Sequence, residues 1–316
     1  MSISARHLVR APAVWVWLGL AALVVAIPEI EWSQDLRSYE DNIIRLYINY
    51  EISEQDSKSI WYSYYLNNIF YITSSVETTI YLVKANIITL LLFSYRNVIQ
   101  NNVDALITIV MLGVAPVVSE NIHEYLRQGL AIGVFLMAMS YSRLPIRWSF
   151  IIVAYAVHQA ILFVGLAVLV GYAFHRIGFN DEGRAKGSAI IAVQFALALS
   201  AMLALGGSGL PFMSVVSGFF GFLSGSRDNT LGALFLFAYS AYLAYLALSH
   251  GSKMHCAAFA GMLIICSFYT LILDFGRSVS MVMPLHIAAA LSMGEPRTRY
   301  LDLLAILAAG LVVVLF

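Results

Sequence analysis

The sequence predicts an all-α fold, a polytopic bundle of about ten or eleven membrane-spanning helices. Three observations predict it. Of 316 residues, 60% are hydrophobic and only 11% are charged, against about 25% charged in soluble domains. Mean hydropathy is +0.81. The apolar residues also fall in long runs, and a bilayer-spanning helix needs about 20 of them. Together these exclude a soluble globular enzyme, a disordered chain and a nucleic-acid-binding module. Eighteen basic residues balance eighteen acidic ones, so net charge points to no polyanionic partner. One integral membrane domain, 1–316, is expected.

The first span lies near 12–28. Arg6 and Arg10 precede it and no small-x-small cleavage site follows, so it reads as a retained helix with a cytoplasmic N-terminus. Residues 29–78 form the one long hydrophilic stretch. It carries nine acidic residues against three basic ones, and Tyr39, Tyr47, Tyr50, Trp61, Tyr62, Tyr64 and Tyr65 stud it. This suits a helical loop on the outer, periplasmic side. Its aromatics read either as an interfacial belt or as a surface on which sugars stack.

Further spans are expected near 79–95, 103–118, 126–141, 148–174, 188–206, 230–249, 255–273, 279–293 and 300–316. The stretch 211–223 is too short for a straight crossing; it spans, re-enters or lies at the interface. If it crosses, Arg96, Arg143, Arg147, Lys253, Arg297 and Arg299 fall inside. Arg127, Arg176, Arg184, Lys186, Arg227 and Arg277 fall at the outer face. The inside excess of positive charge is therefore small: either this topology is wrong, or several outer basic residues are kept because they bind an anion. Cys256 and Cys266 share one span, about 15 Å apart along a helix, and read as free buried thiols.

Charges at membrane depth are costly and usually functional. The richest cluster is Ser119-Glu120-Asn121-Ile122-His123-Glu124-Tyr125-Leu126-Arg127-Gln128. Asn121 and Glu124 have the spacing of a capping box, so a helix is expected to start near Asn121, with its N-terminal N–H groups open to a phosphate. On such a helix His123 and Arg127 share a face, with Glu120 just before it. An arginine fork suits a diphosphate. The lesser reading is that Glu124 and Arg127 form an ordinary interfacial ion pair.

His158 is expected mid-span, either bonding a neighbouring helix or serving as base or ligand. Asp274-Phe275-Gly276-Arg277 is a second candidate anion site, or a helix-end bridge. Lys84 reads as a snorkelling cation, and Arg176, Arg184 and Lys186 as a solvated loop. His250, His255 and His286 show no metal-ligand spacing, so no metal is expected. Gly206-Gly207-Ser208-Gly209 reads as a turn.

The run Arg127-Gln128-Gly129-Leu130-Ala131-Ile132-Gly133-Val134-Phe135-Leu136 resembles the signature of the EpsG-type, Wzy-like polysaccharide polymerases. His158 follows at the distance that family shows. Asp35 with Tyr39 resembles its early Asp-x-x-x-Tyr element, and Arg277 its late arginine. Where the family often has serine two positions after the histidine, this chain has Ala160.

The resemblance implies a GT-C-like, metal-independent glycosyltransferase of the bacterial inner membrane, with no cofactor. Its substrate would be an oligosaccharide repeat unit on undecaprenyl diphosphate, polymerised at the periplasmic face into O-antigen, capsule or exopolysaccharide, and a chain-length regulator would be a further partner. Arg127 and Arg277 would hold the diphosphate. His123, Glu120 and His158 are candidate bases; Asp35, Tyr39 and Gln128 would bind the acceptor. The alternative is a transporter of a lipid-linked or anionic substrate, although no duplicated half with paired broken helices is evident.

Overall fold

The computed structural model describes residues 37–41, 43, 60–123, 125–141, 143–159, 161–177, 227–250, 252–267 and 275–315. Helices and their connecting turns account for all of them, with no strand among them. They fall in two compact units, Met1–Leu162 and Phe163–Phe316. The expected spans 12–28, 188–206 and 211–223 lie outside the described residues.

In the first unit, residues 37–41 are helical and precede α1 (Ile60–Thr73). A tight turn with Ser74 at φ 53° reverses the chain. Ser75 then caps α2 (Val76–Tyr95) by accepting from the Thr78 N–H. Helix α2 has 20 residues and is the one described helix both long and apolar enough to cross a membrane; at 1.5 Å per residue it reaches about 30 Å. Its face of Ile80, Val83, Ile87 and Leu91 is buried.

Helix α3 (Asn102–Val114) opens on a variant of the capping box, in which the acid bonds the N–H one residue before the cap. Asn101 Oδ1 accepts from the Asp104 N–H at 2.8 Å, while Asp104 Oδ2 accepts from the Gln100 N–H at 3.0 Å. The expected span 103–118 is interrupted. Ala115, preceding a proline, is extended (φ −67°, ψ 111°), as the proline ring demands. Pro116 then starts a new short helix, α4 (Pro116–His123).

Helix α5 (Leu126–Ser140) packs along both α2 and α6 (Leu144–Val157). Two glycines allow this. A Cβ at Gly129 would lie 2.0 Å from the Asn121 carbonyl oxygen, and one at Gly133 would lie 2.9 Å from Leu90 Cβ. Ser94 ties the crossing by donating to the Gly133 carbonyl at 3.2 Å. At the far end Arg147 donates through Nε and Nη2 to the Tyr141 carbonyl, at 3.1 and 2.6 Å. This satisfies the open end of α5 with a cation where the helix dipole is negative.

The expected single span 148–174 is two helices. Helix α6 ends at Val157, His158 is extended (φ −153°, ψ 117°), and α7 (Ile161–Ile177) follows. His158 is therefore a C-cap at a break, not a mid-helix residue. A 27-residue run exceeds what one crossing needs, and the polar pair His158-Gln159 interrupts it, with i→i+3 bonds from Ile161 and Leu162 closing the turn.

In the second unit α8 (Arg227–His250), α9 (Lys253–Ser267), α10 (Phe275–Leu291) and α11 (Pro296–Leu315) pack as α8 on α9, α9 on α10, α10 on α11 and α8 on α11. Gly171 of α7 meets the α9 backbone, where a Cβ would lie 2.4 Å from Ala257. Arg299 repeats the Arg147 device: it is buried and donates through Nε and Nη2 to the Met293 carbonyl beyond α10, at 3.1 and 2.6 Å. Cys256 is a buried free thiol.

Several helices carry apolar residues outward at helical spacing. Val103, Leu106 and Val110 do so on α3, Trp148 and Ile152 on α6, Leu162, Leu166 and Leu169 on α7, and Leu301 and Leu304 on α11. Ile152 is 64% exposed and Leu169 69%.

Candidate functional site

The site expected around Arg127 forms differently from the sequence reading. Asn121 does not start a helix; it lies in the last turn of α4, which Pro116 has already begun. The same Asn-x-x-acid spacing is used as a cap at Asn101 and Asp104 instead. The next helix starts at Leu126 after Tyr125 at φ −90°, ψ 54°, with no side chain capping it. His123 and Arg127 thus sit on either side of a break rather than on one continuous helix.

The break is held from within the motif. Gln128 is buried and donates through Nε2 to Asn121 Oδ1 at 2.8 Å. Gly129 admits the Asn121 backbone beside it. Gln128, expected to bind an acceptor, is thus a structural tie between α4 and α5. Arg127 lies half-buried in the first turn of α5. Its charge reaches the Tyr62 phenol on α1.

Tyr62 is buried and its Oη has no hydrogen-bond partner. Burial raises its phenol well above the ordinary range, while Arg127 pulls the other way. Tyr39 packs edge-on against Tyr62 with centroids 5.6 Å apart, and Tyr65 lies at 6.2 Å. So Tyr39 joins the Arg127 neighbourhood through Tyr62, a residue the sequence noted only among the loop aromatics.

On the other side of the break, His123 is half-buried and its ring hydrogen-bonds the Gly113 carbonyl. Burial first, and then the Lys84 ammonium, push its imidazole down to about 4. Lys84 does not snorkel: it is 2% exposed, within α2. The first unit thus holds two neighbourhoods on either side of the break: Arg127 with Tyr62 and Tyr39, and His123 with Lys84.

The other expected residues stand apart or undescribed. Glu120 is helical, in α4, and Arg277 is helical, in the first turn of α10; the side chains of both lie outside the described residues. Arg127 belongs to the first unit and Arg277 to the second. Asp35, Glu124 and Asp274 lie outside the described residues.

The second unit holds a polar centre that no spacing in the sequence announces. Asp302 of α11 takes His286 Nε2 of α10 on Oδ1 at 2.7 Å and His255 Nε2 of α9 on Oδ2 at 3.2 Å. All three residues are buried. Tyr242 of α8 donates to Asp302 Oδ1 at 2.9 Å. Tyr239 bonds His286 Nδ1 and donates to Met283 Sδ at 3.1 Å. His255 Nδ1 has no partner. One sequence signal was available: Asp302 is the sole charge in the apolar run 300–316, and a charge in such a run is informative.

Comparison with family models, with curated proteins and with solved structures finds no match.

Proposed function

We propose that the protein is a multi-pass membrane glycosyltransferase that polymerises polyprenyl-diphosphate-linked oligosaccharide repeat units at the periplasmic face of the bacterial inner membrane. The observation that carries this reading is Arg127. It stands at the head of α5, in a motif whose next two residues are spent on packing, beside a tyrosine cluster and across a chain break from a histidine and a buried lysine. The outward apolar stripes of α3, α6, α7 and α11 support a lipid environment for more helices than α2 alone.

In the reaction, the bond between the anomeric carbon and the diphosphate oxygen breaks and the lipid diphosphate leaves. The acceptor hydroxyl forms the new glycosidic bond and gives up its proton. Negative charge grows on the diphosphate, and fixed cations there favour the transition state. Arg127 supplies one, and Lys84 is a further candidate. The proton goes to a base among His123, Glu120 and His158. Burial, and after it the Lys84 charge, hold His123 at about 4, a weak base. A diphosphate near Lys84 would offset the smaller of these two effects. Beside the buried Tyr39–Tyr62 pair, Trp61 and Tyr64 are exposed on α1 and offer aromatic faces to a sugar, with Tyr39 and Asp35 as the expected acceptor ligands.

The breaks at Ala115 and His158 also suit a transporter, whose sites form at interrupted helices. Two measurements separate the readings. A deletion strain carrying wild-type protein makes long glycan ladders, and one carrying Arg127→Ala makes single repeat units at equal protein level. Purified wild-type protein releases free lipid diphosphate and lengthens glycans. Ladders with Arg127→Ala remove that residue from the mechanism. Transfer of substrate across vesicles with no diphosphate release makes the protein a transporter.

A further inference from the structure

We propose that His255, His286 and Asp302 bind one divalent transition-metal ion of the zinc class within the second unit. The three residues come from three successive helices, and their ligand atoms all lie within 4.8 Å of one another. In a tetrahedral zinc site with bonds near 2.0 Å, ligand atoms stand about 3.3 Å apart. The two nitrogen–oxygen pairs here are at 2.7 and 3.2 Å, so small side-chain rotations suffice to close the centre on an ion. Two imidazoles and one carboxylate form a ligand set that suits zinc and its neighbours rather than magnesium or calcium.

The hydrogen bonding points the same way. Tyr239 Oη lies between Met283 Sδ, at 3.1 Å, and His286 Nδ1, so the outer nitrogen of His286 is engaged and its Nε2 is the one that faces the Asp302 carboxylate, at 2.7 Å. The same carboxylate meets the Nε2 of a second buried imidazole on its other oxygen. Such convergence is that of a chelate. Tyr239 then plays the outer-shell part usual at metal sites, fixing the tautomer and the ring orientation of a ligating histidine. Three protein ligands leave a fourth position, for a water or the Tyr242 oxygen, which lies 2.9 Å from Asp302 Oδ1.

The test uses the full chain, purified in detergent without chelator, and is independent of any polymerase assay. Elemental analysis is expected to find about one zinc per chain. After chelation, Co²⁺ is expected to restore one equivalent of bound metal with the visible absorption of a tetrahedral N/O site. Zn²⁺ is expected to raise the unfolding temperature of the chelated wild type. His286→Ala and Asp302→Asn are expected to lose stoichiometric binding, and Tyr239→Phe to weaken it by about 10- to 100-fold. If the two ligand variants fail to fold, the cobalt spectrum and zinc titration of the wild type still decide. No stoichiometric zinc or cobalt in the wild type overturns the proposal. So does metal retained equally by folded Asp302→Asn, which would place the binding elsewhere. Either of these results leaves the centre as a proton-held tie between helices.

Discussion

Gly129→Ala is the sharpest perturbation of the α4–α5 break. The new methyl would sit 2.0 Å from the Asn121 carbonyl oxygen and 2.9 Å from its carbon. These are backbone atoms and cannot rotate away. To reach ordinary contact the end of α4 must retreat from α5 by about an ångström or more, an overpacking that typically costs about 1–3 kcal/mol. Alanine returns up to about 1 kcal/mol through its better helix propensity, so a net loss of roughly 1–2 kcal/mol is expected. The retreat also stretches the 2.8 Å bond from Gln128 to Asn121 and shifts His123 relative to Arg127. Gly133→Ala is the control. Its methyl meets Leu90 Cβ at 2.9 Å; that atom is fixed to its backbone and cannot rotate away, but the overlap is nearly an ångström smaller than at Gly129. Thermal unfolding in detergent, read beside the glycan ladder, is expected to show a lower unfolding temperature and shortened ladders for Gly129→Ala and a smaller loss of both for Gly133→Ala. Equal stability and equal ladders for Gly129→Ala, or a worse result for Gly133→Ala, would refute the assignment of Gly129 to the contact.

Three further outcomes are expected. Arg299→Ala is expected to destabilise by about 2–3 kcal/mol and Arg147→Ala by about 1–2, since each loses two charge-assisted bonds to one helix-end carbonyl and only Arg299 is fully buried; comparative unfolding checks the order. For His123 the folded imidazole takes its proton near pH 4 and the unfolded one near 6.5. The unfolded state therefore binds more protons in that window, and stability falls as pH drops from about 6.5 to 4 but is unaffected above it. Partial exposure limits the effect to roughly 1–2 kcal/mol, and His123→Gln is expected to flatten the slope in a pH series of unfolding temperatures. Tyr62→Phe removes a buried hydroxyl that has no partner, so unfolding temperature is expected to hold or rise, while the glycan ladder shortens if that hydroxyl meets the sugar.

Helix content was legible because hydrophobic runs and all-helical structure follow from the same requirement, that backbone groups in an apolar medium bond within their own segment. Helix breaks were not. The run 148–174 contains no glycine–proline punctuation at His158, and hydropathy averages over the two polar residues that end α6. Pro116 did carry a signal, since a proline ends a helix at the residue before it, and it explains why the capping box formed at Asn101 and not at Asn121. The His255–His286–Asp302 centre stayed hidden for a different reason. Its bonded pairs are separated by 47 and 16 residues, and no local pattern encodes a meeting of three helices.

In the Arg127-Gln128-Gly129 run the last two residues serve the architecture. Gly129 is required by a backbone contact and Gln128 by a side-chain bond to the same residue, Asn121. Both act on the preceding helix, so together they fix where α5 begins. What they fix in place is the residue just before them, a half-buried guanidinium whose charge is felt by a buried phenol. A cation set in a first helical turn works against the helix dipole, a cost that packing alone does not explain. An anion bound across that turn would reverse the sign, because it meets the positive end of α5 and the guanidinium together. Arg127→Gln, which keeps bulk and hydrogen bonding, separates the two roles: retained or increased stability with lost polymer assigns Arg127 to the anion, whereas lost stability with normal polymer assigns it to the fold.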